Sequence, residues 1–291
     1  MKILKPVFSV LAVAVFSFPL MAQTMVEGKN ATAEKIISTI IKNVGVTPYP
    51  KTVDVIKEGD PGTQVKGIIT TMFATMDVLK EAVKTNCNLI IVHEPLYYGH
   101  LDQTEQIKNS PVFLEKKRFI NEHNLVIWRF HDYIHSLKPD GIDAGMAIKL
   151  GWQDYIIKGH PNQFVLPETT LSDLLKHLKQ VFPENSFYVI GKPDMKLSKV
   201  VLGAGAPGFM AHFSILENKD VDVLLAGESP QWETYEYMRD AVAQGRNKAV
   251  VFLGHIASEE AGMDWCATWL KTFIKDIPVH YVKSGPSFWS Y

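Results

Sequence analysis

Three apolar runs in this chain end in side chains that can bind a metal or move a proton. The segment NLIIVHEPLYYGH, residues 88–100, passes from Leu89, Ile90, Ile91 and Val92 directly into His93, Glu94 and Pro95. LVIWRFHDYIH, residues 125–135, ends in His131, Asp132 and His135. AVVFLGHIASEEAGM, residues 249–263, runs into Gly254 and His255, then Glu259 and Glu260. Neutral imidazole and carboxylate are the ligands that zinc, manganese, iron and nickel share. A single histidine after a strand is usually an ordinary loop residue, and an acid at the head of a helix commonly serves the helix dipole. Three strand ends that all combine the two types point to one shared metal site, because carboxylates gathered without a cation repel.

Such residues can meet only if the strands leave their sheet where the runs end. Pro95 confines Glu94 to extended geometry and removes a backbone donor, so the chain turns away there. Around the three tips the pattern alternates. Helical spacing covers residues 33–42, 78–84, 113–122, 143–150, 171–181, 232–243 and 259–274. Strand-like runs cover 65–73, 89–92, 125–130, 187–190, 200–202, 221–226, 249–253 and 279–282. This alternation predicts an α/β fold with largely parallel sheets, whose ligands gather at the carboxyl ends of strands. Residues 159–167 read as a seam between two lobes, about 31–158 and 168–284. VVLGAGAPGF, residues 200–209, is a strand running into Gly203, Gly205 and Gly208. No acidic residue follows it in a clean strand–helix–strand unit, so it reads as a loop lining the metal pocket, not as a dinucleotide fingerprint.

The first 22 residues read as a secretory signal peptide. Lys2 and Lys5 precede an apolar run over 7–18 that is too short to span a bilayer, and Leu20-Met21-Ala22 offers a cleavage point before Gln23. The mature chain, 23–291, is then expected in the periplasm or outside the cell, with no membrane attachment once the signal is removed. The 291 residues carry a net charge of -1, which gives no reason to expect a nucleic-acid partner. The two cysteines, Cys87 and Cys266, are expected to be buried thiols unless their backbones meet.

At these residues the sequence resembles the Nif-three-like, dinuclear-metal-centre family, whose members are often labelled GTP cyclohydrolase I type 2. VKGIITTMFATMDVLKEAVKTNCNLIIVHEPLYYG, residues 65–99, resembles the opening strand–helix–strand that ends in His-His-Pro-Leu. FHDYIH stands where the family has His-Thr-Asn-x-Asp. VVLGAGAPGF, DVDVLLAGE and LGHIASEEAG resemble its glycine-rich, Gly-Glu and Gly-His-x-x-Ser-Glu segments, in the same order. The resemblance runs from about residue 33 to 282. It implies two similar α/β lobes with mixed sheets, a metal pair in the cleft between them, and a ring-shaped homohexamer.

Carried over position by position, the resemblance implies metal ligands at His93, His255 and Glu259. Two positions depart: the family's second histidine is Glu94 here, and its aspartate is His135. The exchange keeps three imidazoles and two carboxylates, so it reads as one rearranged site holding one or two divalent transition-metal ions. A neutral imidazole cannot bridge two metals as a carboxylate can. His131 matches the motif histidine and reads as a proton-transfer group or as support for a ligand. The reading is an exported metal-dependent hydrolase of a small, phosphorylated or nucleotide-like substrate. The alternative is a non-catalytic ring protein that binds a metal or a small molecule. Export argues against GTP itself, a cytoplasmic compound.

Overall fold

The structure, a computed structural model, describes residues 23–26 and 30–289. The segment 1–22 read as a signal peptide lies outside the described residues. The first helix, α1 (Ala33–Val44), starts where the Thr32 side chain accepts from the Lys35 amide and stops at Gly45 in left-handed geometry. After it come β1 (Ile56–Glu58), β2 (Ile68–Thr71), α2 (Met76–Lys84), β3 (Leu89–Val92), α3 (Pro111–Glu122), β4 (Val126–Arg129), α4 (Asp132–Ser136) and α5 (Gly141–Leu150). The chain goes on through β5 (Ile156–Ile157), β6 (His160–Thr170), α6 (Leu171–Val181), β7 (Tyr188–Ile190), β8 (Lys196–Gly203) and α7 (Phe209–Glu217). It ends with β9 (Val223–Ala226), α8 (Glu236–Ala243), β10 (Ala249–Phe252), α9 (His255–Leu270) and β11 (Val279–Tyr281).

These strands make two mixed sheets, in the orders β1-β4-β3-β2-β11 and β5-β6-β8-β9-β10-β7. The parallel centre is bordered by antiparallel pairing at one edge of the first sheet, β1 on β4, and at both edges of the second. The last strand, β11, returns to pair with β2 in the first sheet. Every residue of β2, β3, β4, β9 and β10 is buried, as expected where both faces of a sheet are covered. Alternate residues feed opposite faces. Leu89 and Ile91 join one cluster with Cys266, while Ile90 and Val92 join another with Cys87. The two thiols are therefore free, buried, and separated by the sheet itself.

Helices α5 and α9 lie between the sheets. Ile142 and Met263 pack on the first sheet's cluster, Met146, Ala147 and Leu150 on the second's. The helices approach so closely that a Cβ on Gly145 would stand 2.3 Å from the Ala261 carbonyl, and one on Gly262 would stand 2.6 Å from the Ile142 Cα. Neither neighbour is a side chain that could turn away, so both positions require glycine.

Most of the stretch read as a seam, 159–167, lies in strand β6 (His160–Thr170), paired with β5 and β8. Pro167 falls inside the register shift between Val165 and Thr169, where the ladder needs no donor from it. The long C-terminal helix begins at His255, four residues before the expected start, because Gly254, at φ +89, turns the chain straight from β10 into it. The expected helix over 232–243 is broken: Glu233 leaves helical geometry and the regular part is α8 alone.

Candidate metal centre

Strands β3 and β4 are parallel and end level, Val92 opposite Arg129. His93 and His131 therefore emerge side by side, their rings stacked at 4.7 Å between centroids. In the second sheet β8, β9 and β10 also end level, with Gly203, Ala226 and Phe252 in register. The turns that follow carry Gly205, Glu228 and His255 to the same edge. Glu259 sits one helical turn beyond His255 on α9. All six residues singled out in the sequence meet where these strand ends face each other.

His93 is fully buried and its Nδ1 donates to the Phe130 carbonyl, 3.2 Å away. That leaves Nε2 to face Glu259 Oε2 at 3.5 Å, and neither atom has a hydrogen-bond partner. Glu259 Oε2 is also 3.1 Å from His255 Nε2, but that nitrogen bonds Glu94 Oε1 at 3.0 Å. The Glu259 carboxylate cannot swing elsewhere, since its Oε1 occupies the space of the missing Gly205 side chain, 2.3 Å from where a Cβ would lie. Gly205 stands at φ +65, and its amide donates to Ser258 Oγ.

Glu94 is held from its other side. Arg129 Nη2 donates to its Oε2 at 3.1 Å, while Arg129 Nε donates to the His93 carbonyl. Arg129 has no exposed surface. Sequence reasoning passed over it as the last residue of an apolar strand, although a lone charge in such a run was a signal. It also passed over Glu228, which accepts from His255 Nδ1 at 2.9 Å and lies in the Gly-Glu segment quoted above.

Three aspartates set the remaining imidazoles. Asp54 is buried and accepts from the amides of His131, Asp132 and Tyr133, which fixes the start of α4. Asp132 then accepts from His131 Nδ1 at 3.0 Å. Burial and the neighbouring His93 push the His131 pKa down to about 4, so it is neutral at pH 7. Asp140 caps α5 with Oδ1, on the amides of Ile142 and Asp143, and grips His135 Nδ1 with Oδ2 at 2.8 Å. Burial opposes the charge on His135, but Asp140 outweighs it and raises the pKa to about 9. His255 is driven up to about 11 against its burial by Glu259 and Glu94. Burial disfavours the Glu94 and Glu259 carboxylates as anions, yet the surrounding imidazoles hold both below the ordinary carboxylate range.

Among the described residues two groups have ligand atoms close enough to share an ion: His93, Glu94 and Glu259, and His93, His131 and His135. The first fits a divalent cation. Two ligand atoms about 3.4 Å apart are what one tetrahedral ion with bonds of roughly 2.1 Å requires, and the two buried acceptors without donors are separated by 3.5 Å. The group also supplies two negative charges in a buried place. Glu94 and Glu259, with His131, His135 and His255, line a cavity of about 960 Å³. One wall is the segment around Ser284, whose amide donates to Glu260 and whose hydroxyl accepts from the Phe73 amide.

Comparisons with known proteins agree in kind. A family model described as Duf34/NIF3 (NGG1p interacting factor 3) matches residues 49–285. A protein of Clostridium acetobutylicum named GTP cyclohydrolase 1 type 2 homolog is 27% identical over 213 residues, spanning 69% of this chain and 75% of that one. One of the same name from Chlamydia pneumoniae is 23% identical over 227 residues, spanning 75% and 84%. Among solved structures, a Bacillus cereus protein related to NIF3 matches with a TM-score of 0.69 at 15% identity, over 90% of this chain and all of that one. A hypothetical protein of Staphylococcus aureus matches with a TM-score of 0.70 at 16% identity, over 89% and 99%.

Proposed function

The chain belongs to the Duf34/NIF3 family, and from that premise we propose that it is a metal-dependent hydrolase of a small molecule, holding one divalent transition-metal ion through His93, Glu94 and Glu259. The observation that carries this reading is the pair of buried acceptors, His93 Nε2 and Glu259 Oε2, facing each other without a donor. An unsatisfied buried polar atom is costly, and a cation between the two would satisfy both at once. His93 supports the reading of one ion over two: both candidate groups need it, and with Nδ1 given to Phe130 it has a single nitrogen to offer.

Bound there, the ion would lower the pKa of a water molecule and polarise the scissile group. The chain does the rest. Arg129 fixes Glu94 so that Oε1 faces the imidazoles. Neutral His131, tied at Nδ1 to Asp132, presents Nε2 4.0 Å from Glu94 Oε1 at the cavity wall, where it can take a proton and return it to the leaving group. His255 and His135, held at Nδ1 by Glu228 and Asp140, line the same cavity and could donate to a developing oxyanion.

Purified protein assayed against phosphoesters, nucleotides and amides is expected to hydrolyse at least one class. Chelation should abolish the activity, and a divalent transition metal should restore it. Stoichiometric metal with no hydrolysis of any class would leave a binding protein instead. The basic, apolar and small-residue pattern of residues 1–22 supports export. Protein from a periplasmic extract is expected to begin at or near Gln23 by mass spectrometry, and retained Met1 would count against it.

A further inference from the structure

The large cavity has a mixed lining. Glu94, His131, His255 and Glu259 of the candidate metal centre face it. The rest of its lining is largely apolar, including Phe73, Met76, Ala206, Pro207 and Ile256, and it also includes Lys116. Lys116 projects from α3 and is 8% exposed. Its ammonium donates to the Leu96 carbonyl at 2.8 Å and lies 5.6 Å from the centre of the Tyr98 ring. Leu96 and Tyr98 line the same cavity. They belong to the loop that leaves His93 and Glu94.

Lys116 opens a basic stretch, Lys116-Lys117-Arg118, whose other members have partners. Lys117 meets Glu58 at 2.9 Å, and Arg118 bonds Glu115 and Glu122. Among the described residues no carboxylate lies within 4.0 Å of the Lys116 ammonium; it has one carbonyl and two tyrosine faces. Burial pulls its pKa down to about 8, against the charge of Asp102, so it remains mostly protonated at neutral pH. A buried cation with hydrogen-bonding capacity to spare is expensive unless an anion completes it. The cavity beside it is the place from which an anion can arrive.

We propose that Lys116 anchors the anionic group of a small substrate with an apolar body, whose far end reaches the His93, Glu94 and Glu259 cluster. This rests on the reading of the cavity as a substrate site. A lysine offers a compact charge without the fork that selects one planar anion, so a carboxylate and a phosphate ester share the required chemistry. The apolar lining of the same cavity is what the body of the ligand would cover.

Calorimetric titration of the mature, chelator-treated protein at pH 7 tests the proposal without metal or turnover. The probes are phenyl phosphate, phenylacetate and the uncharged 2-phenylethanol. At least one anion is expected to bind, with the alcohol weaker by about tenfold or more. Lys116→Met should lower affinity for that anion by at least about tenfold and leave the alcohol unchanged, while Lys116→Arg should stay within about threefold of wild type. The preferred anion tells phosphate ester from carboxylate. If Lys116→Met fails to fold, Lys116→Gln, which keeps a donor for the Leu96 carbonyl and removes only the charge, carries the same expectation. Anion affinity unchanged in the folded variant, no preference over the alcohol, or no binding of either anion would each overturn it. Binding lost while chelator-sensitive hydrolysis persists sinks only the anchor; anchored binding with no hydrolysis sinks only the hydrolase.

Discussion

Glu259→Gln is expected to lower metal affinity by about a hundredfold or more, since loss of a mere supporting partner already costs 10- to 100-fold. The substitution keeps the shape of the side chain and removes one of the two charges in the candidate group. It also leaves nothing to take the carboxylate's place. Gly205 packs against Glu259 Oε1, and Ser258 is committed to the Gly205 amide and the His255 carbonyl. Metal retained after dialysis against a buffered free-metal series, measured by elemental analysis, gives the result directly. Wild-type stoichiometry at wild-type free-metal concentration would remove Glu259 from the ligand set and the one-ion reading with it.

Arg129→Met is expected to destabilise the fold by about 3–5 kcal/mol, the usual consequence of breaking a buried ion pair from one side. Methionine is apolar and adaptable enough to occupy the slot between the first sheet and the loop after β3. It cannot answer the Glu94 carboxylate, which is 6% exposed and would retain only His255. It also leaves the carbonyls of His93 and His100 without their donor. Urea denaturation of the single and double variants separates these causes. If the orphaned charge dominates, Arg129→Met with Glu94→Gln should be more stable than Arg129→Met alone, a coupling read from the four-member cycle. A loss below about 1 kcal/mol in the single variant would mean that the pair holds little.

The six candidate residues were legible because each follows an apolar run or opens a helix, and the ends of such runs lie at a sheet's edge. What was not legible is what holds them. Asp54 and Asp140 look like loop acids until tertiary contact puts amides and imidazoles around them. The exchange of types at Glu94 and His135 kept the inventory of imidazoles and carboxylates, but the structure gives each its own partner. Glu94 is tied to Arg129 and His135 to Asp140. Restoring histidine at 94 and aspartate at 135 would strand a buried guanidinium and set two aspartates together. Strand β6 went unread because its prolines and polar residues fit no period of 2, and strand pairing overrode them. The central strands were read correctly since both faces are buried and nothing in them needed to alternate.

Because α5 and α9 touch backbone to backbone at Gly145 and Gly262, the two sheets have no hinge between them. Each helix also begins at the site: α5 at Asp140, which grips His135, and α9 at His255 and Glu259. Jaws that share one solid jawbone cannot open. The spacing of imidazole and carboxylate is then set before any ligand arrives, and the proposed substrate would meet a mould rather than a trap. Whatever movement admits a ligand must come from the rim, the loop after Glu94 and the chain around Ser284. Turnover would then be paced by how those two thin walls part, while the chemistry at their base stays still.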